Sequence, residues 1–194
     1  MFNRPRGSKT KPYWHAHAHR ASVTVTNGSH MTESIDRIEK AILLPVPRAR
    51  VWQAISDAQQ FGSWFGVQFD GVFVSGARLT GKIVPTKVDQ EIAKSQAPYE
   101  GNLFECIVEQ IEPMRRFSFR WHPFAVEPGV DYTKEPMTRV VFELAQAPGG
   151  TMLTISESGF DLIPVSRRAR AYAAHEQGWE GQSRLIAKYL AREP

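Results

Sequence analysis

The stretch PVSRRARAYAAHEQGWEGQSRLIAKYLARE, residues 164–193, decides the fold of this chain. Its pattern predicts one long helix with a mostly apolar face, because side chains at steps of three or four share a face. That face comprises Arg168, Tyr172, His175, Trp179, Gln182, Ile186 and Leu190. Gly178 and Gly181 interrupt the helix at about 1 kcal/mol each relative to alanine. We therefore expect a curved antiparallel sheet to pack closely against this helix and to leave a pocket beside it.

The preceding sequence predicts one strand, two helices and six further strands. Residues 35–44 alternate like a strand, and the segments 47–58 and 59–65 read as helices. From residue 67 the apolar period changes to two, which is typical of strands. The six predicted strands are 67–74, 77–84, 99–112, 115–122, 137–145 and 151–158. Residues 86–98 and 125–136 are predicted to be loops, the first with room for one helical turn.

The composition is that of an ordinary globular protein, with 42% hydrophobic and 23% charged residues in 194 positions. No apolar run approaches the ~18 residues that a membrane-spanning helix needs. The single Cys106 excludes an internal disulfide and favours a reducing, cytoplasmic compartment. Five of the 24 basic residues and no acidic ones fall in residues 1–32, so 19 basic and 20 acidic residues remain beyond it. The net charge of residues 33–194 is therefore −1, which gives no electrostatic argument for binding nucleic acid.

Residues 1–32 are interpreted as a disordered basic tail, and residues 33–194 as one domain. The tail lacks the apolar core of a secretory signal. A purification tag or a mis-assigned start explains it better than targeting, because Gly28-Ser29-His30-Met31 looks like a tag remnant. His15, His17 and His19 alternate and could chelate a metal, but a flexible tail loses entropy on ordering.

Several phrases, taken in order, carry a resemblance to a known superfamily. They are ILLPVP at 42–47 with VWQAI at 51–55, WFG at 64–66, EPMRRFSFRW at 112–121, TMLTISESGF at 151–160 and GW at 178–179. The chain resembles the START-like helix-grip (SRPBCC) superfamily over residues 35–192. Within it, the chain resembles the family named after the C-terminal domain of the activator of heat-shock protein 90 ATPase. The resemblance implies an α+β helix-grip fold, in which a curved antiparallel sheet wraps around a long C-terminal helix.

The resemblance also implies a cavity between the sheet and the helix. Members are mostly binders of lipophilic ligands, with some cyclases and hydrolase-like enzymes among them. The namesake co-chaperone has a separate client-binding domain ahead of this one. Nothing in this sequence corresponds to that domain, so a chaperone partner has little support.

Aromatic residues supply the candidate ligand-binding set. Along the 115–122 strand, Phe117, Phe119 and Trp121 should face inward and Ser118, Arg120 and His122 outward. A row of aromatic side chains is also what an ordinary core contains. Their number favours a cavity for a flat or apolar molecule. The predicted ligand-binding residues are Trp64, Phe117, Phe119, Trp121, Phe142, Glu157, Tyr172, His175 and Trp179.

Glu157 and His175 are the candidates for catalysis. Glu157 shares a strand face with Leu153 and Ile155, so burial should raise its pKa and suit it to acid or base chemistry. Alternatively, it reaches solvent or pairs with Arg139 or Arg120. His175 could face Glu157 and form a carboxylate–imidazole pair, or it could be a structural histidine bonded to the backbone.

The remaining motifs point to little chemistry. His175-Glu176 is not a metalloprotease motif, since Trp179 stands where the second histidine would be. We predict no metal and no cofactor. Cys106 has no visible partner base and reads as a buried, inert thiol. Arg167, Arg168 and Arg170 could attract an acidic ligand at a pocket mouth or form a solvated face.

The sequence therefore predicts a small protein that binds an apolar or aromatic molecule. The alternatives are a cyclase- or hydrolase-like enzyme using Glu157 and His175, and a chaperone-interaction module. No nucleic acid or membrane span is expected as a partner, and a homodimer is left open.

Overall fold

The computed structural model describes residues 36–126 and 129–192. The predictions for the basic tail, its three alternating histidines and the Glu127-Pro128 turn signal concern residues outside these ranges.

Within the described residues, seven strands and four α-helices form one layer of sheet with helices packed on it. The strands are β1 (Arg37–Leu44), β2 (Val67–Phe69), β3 (Arg78–Ile83), β4 (Leu103–Glu112), β5 (Arg116–Trp121), β6 (Thr138–Ala147) and β7 (Gly150–Ser158). The helices are α1 (Arg48–Ser56), α2 (Ala58–Phe65), α3 (Gln90–Gln96) and α4 (Val165–Arg192). The sheet order is β1-β7-β6-β5-β4-β3-β2, and every neighbouring pair is antiparallel. This α+β helix-grip architecture confirms the predicted fold class.

Alternation along the central strands places their apolar side chains on the face that α4 covers. Phe117, Phe119 and Trp121 of β5 are buried, and Phe119 lies opposite Val140 of β6. Trp179 of α4 meets Trp121 with ring centroids 5.9 Å apart. Ser118 alternates with Phe117 and Phe119, and it is fully buried. Arg120 is exposed as predicted.

Phe61 of α2 lies at the centre of an aromatic cluster that fills one end of the interior between the sheet and the helices. Its ring is 6.1 Å from Phe117, 6.3 Å from Phe119 and 5.8 Å from Phe142, measured between centroids. Trp64 packs against the same ring at 4.8 Å and donates its indole N–H to the Ala54 carbonyl at 2.9 Å. Edge-to-face aromatic packing at these separations is favourable. This end of the interior is therefore occupied by side chains.

Two segments differ from the predicted elements. Residues 90–96, predicted to lie in a loop, form α3, and the Asp89 carboxylate caps it by accepting from the Glu91 and Ile92 amides. The predicted strand 67–74 ends at Phe69. The Ser75-Gly76 turn is present, but it binds β4 instead of closing a tight hairpin: the Gly76 amide donates to the Val108 carbonyl at 2.9 Å.

Gly181 does not serve a close approach of α4 to the sheet, contrary to our expectation. A Cβ placed there would meet only Ile92 Cδ1 of α3, at 3.9 Å, which is ordinary van der Waals contact. Gly181 therefore faces α3 and leaves room for a side chain.

Truncating Phe61 should weaken the whole fold. We expect Phe61→Ala to reduce the free energy of unfolding by about 3–5 kcal/mol, because it removes a fully buried ring and leaves a cavity among other rings. Urea unfolding followed by tryptophan fluorescence measures this loss. Val72→Ala, at a position that is 72% exposed, is the control and should change stability by less than about 0.5 kcal/mol. A Phe61→Ala loss as small as the control's would contradict the central role of this ring.

Candidate functional site

The carboxylate of Glu157 is fully buried, and four side chains donate hydrogen bonds to it. Oε1 accepts from the Trp121 indole at 2.8 Å and from the Thr138 hydroxyl at 2.5 Å. Oε2 accepts from His175 Nδ1 at 2.8 Å and from the Trp179 indole at 2.6 Å. Each oxygen thus has two donors, which is what an ionised carboxylate needs when it leaves water.

Regular secondary structure brings these four donors together. Glu157 follows Leu153 and Ile155 on the inward face of β7, whereas Trp121 ends β5 and Thr138 begins β6 opposite it. His175 and Trp179 are one helical turn apart on α4, so both face the sheet. The carboxylate therefore connects three strands to the helix.

His175 is engaged through both ring nitrogens. The Phe124 backbone N–H donates to Nε2 at 2.9 Å, so Nε2 carries a lone pair and Nδ1 carries the proton that Glu157 accepts. Phe124 follows β5 in the 122–135 loop and has a positive φ of 51°, which is uncommon outside glycine. His175 therefore joins the buried carboxylate to this loop, and both interpretations of it, carboxylate partner and backbone-bonded histidine, describe it in part.

The pKa of Glu157 is lowered, not raised as the sequence suggested. Burial alone would raise the pKa, but the hydrogen bonds from His175, Thr138 and Trp179 favour the charged form and lower it. Glu157 also pairs with neither proposed arginine. Arg120 and Arg139 both bind Glu109 instead.

A cavity of about 380 Å³ lies next to this cluster, and its walls include Trp121 and His175 but not Phe61. It is bounded by the C-terminal end of α2, the ends of β3 and β5, the start of β4, residues 122–126 and 130–133, and α4. Its larger apolar walls include Phe65, Val67, Phe104, Trp121, Phe124 and Val126. Its polar walls include Gln96, Glu105, His122, Asp131, His175 and Gln182.

The structure separates the predicted ligand-binding residues into three groups. Trp121 and His175 border the cavity. Trp64, Phe117, Phe119, Phe142, Glu157 and Trp179 are buried behind it, in the aromatic cluster or around the carboxylate. Tyr172 lies elsewhere, with its ring against Phe160 and its hydroxyl donating to the Arg37 carbonyl at 3.1 Å.

The three arginines that open α4 hold neighbouring chain segments and do not border the cavity. Arg167 donates to Glu135 at 2.7 Å and to the Pro123 carbonyl at 2.9 Å. Arg168 donates to the Ile163 carbonyl at 3.2 Å, and the Arg170 guanidinium lies 4.9 Å from the centre of the Phe124 ring. Arg167 and Arg170 therefore hold the chain around Pro123 and Phe124, and Arg168 holds the turn that precedes α4.

Sequence reasoning missed most of the cavity wall. Residues 125–136 were predicted only as a loop, and His122, at the end of the predicted 115–122 strand, was expected to face outward. Gln96 lies on the unpredicted α3. For Gln182 the signal was present, because a glutamine on the apolar stripe of a long helix is a polar side chain directed at the core.

The sequence profile described as "Activator of Hsp90 ATPase homolog 1-like protein" matches residues 45–191. This chain belongs to that family. Solved structures agree with the fold. Protein MLL2253 from Mesorhizobium loti is 21% identical with a TM-score of 0.60, covering 81% of this chain and 98% of its own. Protein NE0264 from Nitrosomonas europaea is 13% identical with a TM-score of 0.60, covering 85% and 100%.

DynU16, from the dynemicin biosynthetic locus, shares 24% identity with this chain, with a TM-score of 0.56. The match covers 80% of this chain and 47% of DynU16. Comparison with curated proteins gave no match. These similarities show the family and the fold.

Other candidate chemistry in this family member is limited. Burial raises the pKa of the Cys106 thiol to about 12, which makes it a poor nucleophile. Within residues 36–126 and 129–192, no cluster of His, Cys, Asp or Glu could hold a metal ion. The helices in those same ranges include none long and apolar enough to cross a membrane.

Replacing the buried carboxylate should be costly for stability. We expect Glu157→Gln to lower the free energy of unfolding by about 3–5 kcal/mol, because an amide NH₂ would face two donors that need an acceptor. Denaturant unfolding measures the loss. Glu91→Gln makes the same change on an exposed ion pair with Lys94 and should cost less than about 1 kcal/mol. Equal effects of the two substitutions would show that the cluster does not stabilise the fold.

The lowered pKa of Glu157 also predicts an acid dependence. Its stabilisation should be fully present above the ordinary glutamate pKa of about 4.3 and should be lost as pH falls through the lower folded value. We expect stability measured by urea unfolding to fall more steeply below pH ~4.3 in the wild type than in Glu157→Gln. Parallel pH curves for the two proteins would contradict the assignment.

Proposed function

We propose that this protein binds a small apolar or aromatic molecule in the cavity between α4, residues 122–126 and 130–133, and the sheet. The observation that carries the proposal is the cavity itself, about 380 Å³ with aromatic walls and a few polar groups. Small-molecule sites are concave, mostly apolar and of about 300–1,000 Å³. Membership of a family that generally binds hydrophobic ligands supports it.

The interior is divided in a way that suits binding. The end around Phe61 is filled by side chains. Phe65 packs on Phe61 with ring centroids 4.9 Å apart and borders the cavity, and the buried carboxylate cluster meets the cavity at His175. Trp121 belongs to both, since it donates to Glu157 and borders the cavity. Rigid packing behind the wall keeps the cavity from collapsing, because close-packed interiors resist deformation.

Catalysis by Glu157 and His175 has less support in this geometry. Both carboxylate oxygens already accept two hydrogen bonds, and both imidazole nitrogens are engaged. A general base must reach the proton that it removes, and neither group can do so without losing a partner. We infer that the pair positions the cavity wall. A cytoplasmic location stays a prediction from the lone cysteine.

Filling the cavity should weaken binding. Native mass spectrometry of protein purified from its host identifies a retained molecule, and quenching of the tryptophan fluorescence, to which Trp121 in the cavity wall contributes, measures affinity for naphthalene as an apolar probe. We expect naphthalene to bind, and Val126→Trp to weaken its binding at least tenfold, because the new ring occupies the space at the wall.

Val72→Trp adds the same ring at an exposed site outside the cavity and is the matched control. Its affinity for naphthalene should equal that of the wild type. The absence of both a retained molecule and naphthalene binding would overturn the proposed function.

A further inference from the structure

We propose that the ligand carries a hydrogen-bond donor, a hydroxyl or N–H group on an otherwise apolar body, and that Gln182 Oε1 accepts it. The inference rests on the proposed function and deepens it by naming the ligand class. It depends on one buried amide whose two ends differ in what they bind.

Gln182 lies on the buried face of α4 between Trp179 and Ile186, borders the cavity, and is only 2% exposed. Its Nε2 donates to the Phe65 carbonyl at 3.2 Å. That bond fixes the orientation of the amide, because a flipped amide would bring two acceptor oxygens together. Oε1 is therefore the free end, and it is buried without a hydrogen-bond partner in the structure.

Gln96 shows what a satisfied amide looks like at the same place. Its Nε2 also donates to the Phe65 carbonyl, at 3.1 Å, and its Oε1 accepts from the Thr86 backbone N–H at 2.7 Å. Gln182 repeats the first contact and lacks the second. A buried acceptor left unsatisfied costs about 1–3 kcal/mol of stability. A ligand in the cavity that donates a hydrogen bond to Gln182 Oε1 would remove this cost.

A second polar atom at the cavity lacks a partner as well. Nδ1 of His122, which borders the cavity, is buried and has no hydrogen-bond partner among the described residues. Burial, the largest influence, lowers the pKa of His122 and so favours the neutral ring, which has one acceptor nitrogen. Gln182 Oε1 and His122 Nδ1 thus belong to cavity-lining residues and lack hydrogen-bond partners among the described residues. Both observations favour a ligand that carries polar groups of its own.

The charges around the cavity favour a neutral or cationic donor over an anion. The cavity walls in the described part of the chain include Glu105 and Asp131 but no lysine or arginine. Arg78 pairs with Glu105, and the Thr133 hydroxyl donates to Asp131 at 2.6 Å. Hydrogen bonding by Thr133 also lowers the pKa of Asp131 and keeps it charged. An anionic ligand would face these carboxylates without a basic partner in the wall.

The test compares β-naphthol with its methyl ether, which keeps the ring system and the oxygen but has no donor. Affinities are measured by quenching of the tryptophan fluorescence in the full-length wild type, in Gln182→Met and in Ser183→Ala. Methionine is close in shape to glutamine and cannot accept strongly. Ser183 is the next residue on α4, and its hydroxyl is buried and unpartnered but does not border the cavity.

We expect the wild type to bind β-naphthol about tenfold more tightly than the ether, since one net hydrogen bond has about that effect. In Gln182→Met the ratio should fall to about one, and in Ser183→Ala it should stay at the wild-type value. Equal affinities in the wild type would overturn the inference, whether or not Gln182→Met folds. An unchanged preference in Gln182→Met would overturn it too. If neither probe binds the wild type, the proposed function itself fails.

Discussion

A single buried charge organises this fold. The Glu157 carboxylate lies where β5, β6 and β7 face α4, and each of those four elements contributes to the cluster around it. Removing a carboxylate from water costs several kcal/mol unless its lone pairs are all satisfied. The two indoles, the hydroxyl and the imidazole must therefore converge within about 3 Å of two atoms. Hydrophobic packing alone would tolerate small shifts of α4, whereas these bond lengths do not.

Sequence patterns predicted the central strands and the long helix because these patterns reflect local periodicity. Alternation located β5, β6 and β7, and the three-to-four spacing located α4 and its buried face. The helix α3 was missed because QEIAKSQ has no apolar stripe, although Asp89 before it is a favoured capping residue. The early end of β2 was missed because the Ser75-Gly76 turn bonds to β4, a partner more than thirty residues further along the chain.

The site was only partly accessible from sequence for a similar reason. Glu157 and His175 stood out as polar residues on apolar faces, and the structure pairs them. The direction of the Glu157 pKa depends on how many donors reach it, which no spacing rule gives. The cavity wall depends on where residues 122–126 lie after β5, and Arg167 of α4 holds them by donating to the Pro123 carbonyl.

The bond from Phe124 to His175 joins the cavity wall to the polar core. The imidazole that accepts from the Phe124 N–H also donates to Glu157. Moving Phe124 away from α4 would break the first of these bonds and leave the buried Nε2 atom without that partner. The position of this part of the wall is therefore coupled to the hydrogen bonds that hold the buried charge.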